Sequence, residues 1–99
     1  MGFGVTDFDT TLEKFRTRFL ARAADDLVRL RRHQLGPALS KPELIGLVHR
    51  IAGNAGMFGY PKVSTLASDV ELRLDSDADA TLALGELVAA LQETVADKS

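Results

Sequence analysis

The chain has 99 residues, of which 45% are hydrophobic and 26% charged, and its formal net charge is −2. This length allows one domain with a single core, and the nearly balanced charge argues against a general nucleic-acid-binding protein, which needs many Lys and Arg contacts to phosphates. The absence of cysteine excludes disulfides, thiolate nucleophiles and thiolate metal sites. Because no apolar run is long enough to span a membrane and no signal peptide is recognisable, we expect a cytoplasmic protein.

The first predicted helix is the longest and runs from Thr10 to about His33, after a short N-terminal segment, residues 1–8, that we expect to be mobile. Thr10 and Glu13 have the spacing of a capping box, which favours a helix start. Apolar residues recur at helical intervals and are expected to face the core: Leu12, Phe15, Phe19, Ala23, Leu27 and Leu30.

Three further helices follow in the sequence. The second begins at Ser40, which forms a capping-box pair with Glu43, and ends near Phe58. The third opens at Pro61, and the fourth covers about residues 80–96. Short connections between consecutive amphipathic helices favour antiparallel neighbours. The sequence therefore predicts an all-α fold, an up-and-down antiparallel four-helix bundle, as a single domain over residues 1–99.

One histidine of the second helix has unusual surroundings. With about 100° per residue, His49 projects roughly opposite the apolar face of its helix, and Gly46, Gly53 and Gly56 lie near it. Each glycine inside a helix costs about 1 kcal/mol relative to alanine, so the pattern indicates that something approaches closely there. A partner protein and a neighbouring helix of the same bundle both fit this pattern, and a lone histidine on a helix is most often an ordinary surface residue.

The spacing His49-x-x-x-Gly53-x-x-x-x-x-Gly59, followed by Leu66 and Glu71, resembles the histidine-containing phosphotransfer (HPt) domain family. The resemblance covers nearly the whole chain and is centred on the second and third helices. It implies a four-helix bundle in which His49 accepts a phosphoryl group from the aspartate of a response-regulator receiver domain and passes it to another receiver. The chain would then be a phosphorelay carrier in two-component signal transduction, with a phosphohistidine intermediate.

The chemistry of histidine suits this role, because a neutral imidazole has a nucleophilic nitrogen lone pair. Attack through one ring nitrogen requires the other nitrogen to be held as a donor. Glu71 is the leading candidate for this acceptor, since its position resembles that of an acidic residue near the histidine in related chemotaxis-kinase domains.

The sequence departs from the family three residues after the histidine, where Lys or Arg is common and this chain has Ala52. Three other residues could stabilise or orient the phosphoryl group: Arg50, about 100° around the helix; Lys62, at the start of the third helix; and Asn54, as a neutral donor. Fewer nearby cations would leave a less stabilised phosphohistidine that transfers onward readily, because the phosphoryl group carries close to two negative charges.

We expect partners to dock around the histidine, through small and apolar residues that flank it on the helical wheel: Ile45, Gly46, Ala52, Gly53, Gly56 and Met57. The resemblance implies receiver domains as partners, together with a hybrid histidine kinase. The receiver would supply Mg²⁺ and the acidic pocket, so we expect this chain to bind no metal and no cofactor. We further expect it to be monomeric and to bind neither nucleic acid nor membrane.

Two alternatives from other classes remain open at this level. A helical adaptor could bind a receiver or kinase through the same face without carrying phosphate, which Ala52 makes plausible. A structural bundle or metal carrier would require further ligating side chains three or four residues from His49, where the sequence has glycine, isoleucine and alanine. An autonomous ATP-dependent kinase is excluded more firmly, because no nucleotide-binding loop motif is present.

Overall fold

The computed structural model describes residues 3–97, with side chains from residue 10 onward. It contains four helices, α1 (Phe3–Leu35), α2 (Lys41–Met57), α3 (Pro61–Asp75) and α4 (Thr81–Ala96), and no strand in the described range. This result confirms the predicted all-α fold class.

Contacts between the helices show that sequential neighbours run antiparallel. Between α2 and α3, Gly56 lies against Ser64 and His49 forms a hydrogen bond with Glu71, so residue numbers increase along one helix where they decrease along the other. The pairs that join α1 to α2 follow the same rule, because the ring of Phe19 packs against that of Phe58 and Arg50 donates a hydrogen bond to Asp26. The molecule is therefore an up-and-down bundle in which α2 lies between α1 and α3.

Local sequence explains where α2 and α3 begin and end. The Glu43 backbone N–H donates to the Ser40 hydroxyl over 3.2 Å, and the Ser40 N–H donates back to the Glu43 carboxylate over 3.0 Å, which completes the predicted capping box. Gly59 ends α2 with φ of 87°, a left-handed conformation that glycine adopts without strain. Pro61 then opens α3, where its missing N–H has no helical partner to lose.

The core lies along the axis of the bundle and is filled by aliphatic side chains from all four helices. Its largest fully buried members are Leu30, Val48, Val70, Leu87 and Leu91. The buried face of α2 matches the face that the sequence predicts, and it leaves His49 on the outer side of the helix. The core thus fixes which side of α2 is presented to solvent.

α1 differs from its prediction in two ways. It begins at Phe3 rather than at Thr10, so residues 3–8 of the segment that we expected to be mobile have a helical backbone, and residues 1–2 lie outside the described residues. Leu12 and Phe15, predicted to face the core, are 40% and 44% exposed. These side chains are exposed because α1 has 33 residues whereas α2 and α4 have 17 and 16. The N-terminal part of α1 therefore extends beyond the helices that pack against it.

Candidate functional site

His49 is the centre of the candidate site and stands on the solvent-facing side of α2. Its side chain is 75% exposed, although its helix neighbour Val48 is fully buried. The exposure follows from the amphipathic pattern of α2, which buries the opposite face against the core. A macromolecular partner can therefore reach the imidazole without any rearrangement of the bundle.

Glu71 of α3 holds one nitrogen of this imidazole. The Nδ1 atom of His49 lies 2.9 Å from Glu71 Oε2 and 3.1 Å from Oε1, and the Glu71 side chain is only 25% exposed. An ionised carboxylate can only accept hydrogen bonds, so the contact requires a proton on Nδ1. In the neutral ring the lone pair is then on Nε2, which is the nucleophilic nitrogen.

The three glycines near His49 divide into two kinds. A Cβ added at Gly46 or at Gly53 would meet no atom within 4 Å, so both positions open onto free space beside the histidine. A Cβ at Gly56 would lie 3.3 Å from the Ser64 hydroxyl oxygen of α3. Gly56 therefore serves helix packing, the alternative that the sequence left open. Gly46 and Gly53 leave the surface around His49 free of projecting side chains.

Ala52 corrects one part of the predicted docking surface. Its side chain is only 9% exposed and packs in the core, and its carbonyl oxygen accepts a hydrogen bond of 2.8 Å from the Ser64 hydroxyl. Ala52 lies about 60° from His49 on the helical wheel, on the side where α3 packs. The prediction that Ala52 is an accessible docking residue is therefore wrong, and Ser64, which fixes this contact, was not predicted.

Arg50 does not lie beside the imidazole as a free cation. Its Nη2 donates to Asp26 Oδ1 of α1 over 2.9 Å, and its Nε is buried without a hydrogen-bond partner among the described residues. Burial raises the pKa of Asp26 above its usual value, although the Arg50 guanidinium opposes this effect. The charge of Arg50 is therefore shared with a buried carboxylate, and its role as a phosphoryl ligand stays a prediction. The sequence analysis did not predict this pair, although the position of Asp26 among the apolar residues of α1 could have indicated it.

The other two proposed phosphoryl ligands also lie on other surfaces. Asn54 is about 140° around α2 from His49, and it lines a cleft with Arg18 and Arg22 of α1. Lys62 precedes Glu71 by nine residues, which corresponds to about 13.5 Å along α3 and to the opposite face of that helix, and it lines a hollow against α4. The structure therefore brings Glu71 to His49 but places Asn54 and Lys62 elsewhere.

The remaining docking candidates form an accessible surface on α2. Gly46 and Gly53 are exposed, Ile45 is half-buried, and Met57 is 74% exposed at the end of the helix. Gly56 is exposed as well, on the side toward α3. The described residues contain no group of three or more His, Asp or Glu side chains arranged to hold a metal ion. No helix in the described part of the chain is both long and apolar enough to cross a membrane.

A helical bundle that presents one exposed histidine, with its second ring nitrogen held by a carboxylate, has the layout of a phosphotransfer domain. Residues 14–97 match the family model described as Hpt domain, and the chain belongs to that family. Searches among curated proteins and among solved structures found no match. Family membership indicates histidine phosphotransfer within a phosphorelay.

Proposed function

We propose that His49 accepts a phosphoryl group from the aspartyl phosphate of a receiver domain and passes it to a second receiver. The observation that carries this proposal is the contact between His49 Nδ1 and the Glu71 carboxylate on an imidazole that is 75% exposed. This geometry supports a nucleophilic Nε2 that faces the partner and a protonated Nδ1 that faces the protein.

The proposed step needs little from this chain beyond position and charge. The Nε2 lone pair attacks phosphorus, the bond from phosphorus to the aspartate oxygen breaks, and the electron pair of that bond returns to the aspartate carboxylate. The ring then carries a positive charge, which the Glu71 carboxylate stabilises while the Nδ1 proton stays in place. Mg²⁺ belongs to the receiver in this scheme, so this chain itself binds no metal or cofactor.

A docking surface for the receiver lies beside His49. Gly46 and Gly53 add no side chain there, so the partner's helix can approach the backbone of α2 closely. Arg18 and Arg22 of α1 line a cleft on the side of α2 that packs against α1, and their charge favours a partner with an acidic surface. The acidic pocket of a cytoplasmic receiver domain fits a surface that allows close approach and favours acidic partners. A hybrid histidine kinase would present the same kind of domain.

A non-transferring adaptor is the second candidate function. The observation that favours it is the placement of the basic residues, because Arg50 is paired with Asp26 and Lys62 lies on the far face of α3. An adaptor would bind the receiver through the same surface and would not need a phosphorylated histidine.

Transfer from a phosphorylated receiver to the purified chain tests the two candidates. We expect acid-labile label on the wild type and none on His49→Gln, while His33→Gln, which changes the other histidine of the chain, is labelled normally. Retained binding of several receivers without any label on the wild type would contradict the carrier and favour the adaptor.

A further inference from the structure

A cleft lies at the end of the bundle where α1 and α3 end and where α2 and α4 begin. It has a volume of about 440 Å³ and is lined by residues of all four helices, and small-molecule sites typically have volumes of about 300–1,000 Å³. None of the accessible docking residues around His49 lines it: Ile45, Gly46, Gly53 and Met57. The cleft is therefore separate from the surface that the proposed function assigns to the receiver.

Small residues at the start of α4 leave the space for this cleft. Ala80 is the N-cap of α4 and Thr81 is its first residue, and both line the cleft. Gly85, one turn further on, has no side chain, and the amide nitrogen of Gln34 lies 4.0 Å from the position that a Gly85 Cβ would take. A larger side chain at the start of α4 would therefore occupy the cleft.

The floor of the cleft is apolar. It is formed by Leu44 of α2, Val70 of α3 and Leu84 of α4, which are all buried in the core. These side chains offer no hydrogen bond to water, whereas an ordered water needs about two to four polar partners. Water on this floor is therefore held weakly, and an apolar group that displaces it gains free energy.

The rim of the cleft is polar and includes His33, Gln34 and Thr81. The Nδ1 atom of His33 accepts a hydrogen bond of 3.2 Å from the backbone N–H of Leu39. Nδ1 therefore carries no proton, and in the neutral ring the proton is on Nε2. No hydrogen bond joins Nε2 to another described residue. His33 thus offers the cleft a hydrogen-bond donor, and the loop between α1 and α2 fixes its tautomer.

The cleft contains no charged partner for a ligand. Among the described residues that line it, none is Asp, Glu, Lys or Arg. A charged ligand would lose hydration there without gaining an opposite charge, and this loss costs free energy. The cleft therefore favours an uncharged molecule over an anion or a cation of the same shape.

We propose that this cleft binds an uncharged small molecule that has a compact apolar body and a carbonyl or hydroxyl oxygen. The apolar body lies on Leu44, Val70 and Leu84, and the oxygen accepts a hydrogen bond from Nε2 of His33. Because the bound molecule contacts all four helices, it stabilises the folded bundle. This inference does not depend on phosphotransfer, because its readout is binding to the chain alone.

Three molecules of nearly the same size and shape test the proposal: acetophenone, which is uncharged and has a carbonyl, benzoate, an anion, and benzamidinium, a cation. Chemical-shift titration of the ¹⁵N-labelled full chain measures the Kd of each. With acetophenone we expect saturable shifts at the backbone amides of Leu44, Val70 and Leu84, with a Kd of about 1 mM, and none at Gly53 or Met57. Benzoate and benzamidinium are expected to bind at least about tenfold more weakly.

Two variants of the cleft provide the second arm of the experiment. Ala80→Leu fills the cleft and is expected to raise the Kd for acetophenone at least about tenfold, whereas Ala89→Leu, at an exposed position of α4, is the matched control and leaves it unchanged. His33→Phe keeps a ring but loses the Nε2–H donor, so we expect a rise of about fivefold. Circular dichroism melts establish that each variant is folded.

Three results would overturn the proposal. The first is the absence of saturable shifts with acetophenone up to its limit of solubility. The second is binding of benzoate or benzamidinium as tight as that of acetophenone. The third is a wild-type Kd for acetophenone in either folded variant of the cleft.

Discussion

At the scale of single residues, the contact between His49 and Glu71 restricts how the imidazole can react. The carboxylate fixes the proton on Nδ1 and the orientation of the ring, so only Nε2 presents a lone pair to a partner. Sequence resemblance led to Glu71, since nothing in the helical spacing alone says which residue of α3 lies opposite position 49. The antiparallel packing of α2 on α3 supplies that information.

Substitution of Glu71 tests its role as a positioning residue. Glu71→Gln keeps an acceptor for Nδ1 but loses the charge, whereas Glu71→Ala loses both. A hydrogen bond to a charged group contributes about 1.5–3 kcal/mol, so we expect transfer to slow by about tenfold for Gln and up to about a hundredfold for Ala. Stopped-flow or quenched transfer from a phosphorylated receiver measures these rates. Glu86→Ala on α4 is the control, and equal rates for wild type and Glu71→Ala would contradict an orienting role.

At the scale of helices, α2 uses similar glycines for different purposes. Gly53 faces open space, so a larger side chain there fits the bundle, while Gly56 accommodates Ser64 of α3. The sequence shows a stripe of glycines but not the side on which α3 packs, because a helical wheel gives angles and no neighbours. For the same reason Ala52 was expected at the surface and Arg50 and Asn54 were expected near the histidine, although all three face other helices.

Leucine at these two glycines should separate docking from folding. Gly53→Leu is expected to leave the free energy of unfolding unchanged or to raise it by up to about 1 kcal/mol through better helix propensity, while transfer falls at least about tenfold because the side chain excludes the receiver. Gly56→Leu is expected to lower the free energy of unfolding by about 1–3 kcal/mol through overpacking. Urea denaturation and the transfer assay measure the two effects. Normal transfer by folded Gly53→Leu would contradict the docking surface.

At the scale of the whole molecule, the fold was more predictable than the site. Capping at Ser40 and the breaks at Gly59 and Pro61 are local, so the sequence places these helix ends to within one or two residues. The start of α1 was missed, because the Thr10 and Glu13 pair resembles a cap even though the helix continues past it to Phe3. The inward direction of Asp26 depends on tertiary packing, and its ionisation affects the stability of the entire bundle.

The raised pKa of Asp26 predicts a specific pH dependence of stability. Because burial raises this pKa in the folded state, the folded protein binds the proton more tightly than the unfolded chain. Stability from this group is therefore fully present below its unfolded pKa of about 4 and is lost as pH rises through the higher folded value. Urea denaturation across this range should show wild type losing stability relative to Asp26→Asn as pH rises.

Arg50→Ala provides the complementary variant for this prediction. It leaves the buried Asp26 carboxylate without its cation, so we expect a loss of about 2 kcal/mol at neutral pH and recovery in acid, where Asp26 is protonated. The prediction is contradicted if the free energies of unfolding of the wild type and of Asp26→Asn change with pH in parallel, because the Asp26 carboxyl would then titrate alike in the folded and unfolded states.

The length of α1 also determines how the molecule moves through solution. The bundle measures 55 × 25 × 19 Å, so its long axis is more than twice either of the others. A rod-like particle diffuses and sediments more slowly than a sphere of equal mass, and a gel-filtration column calibrated with globular standards would overstate its size. A monomer of this shape can elute where a compact dimer is expected, so its elution volume alone does not report how many chains travel together.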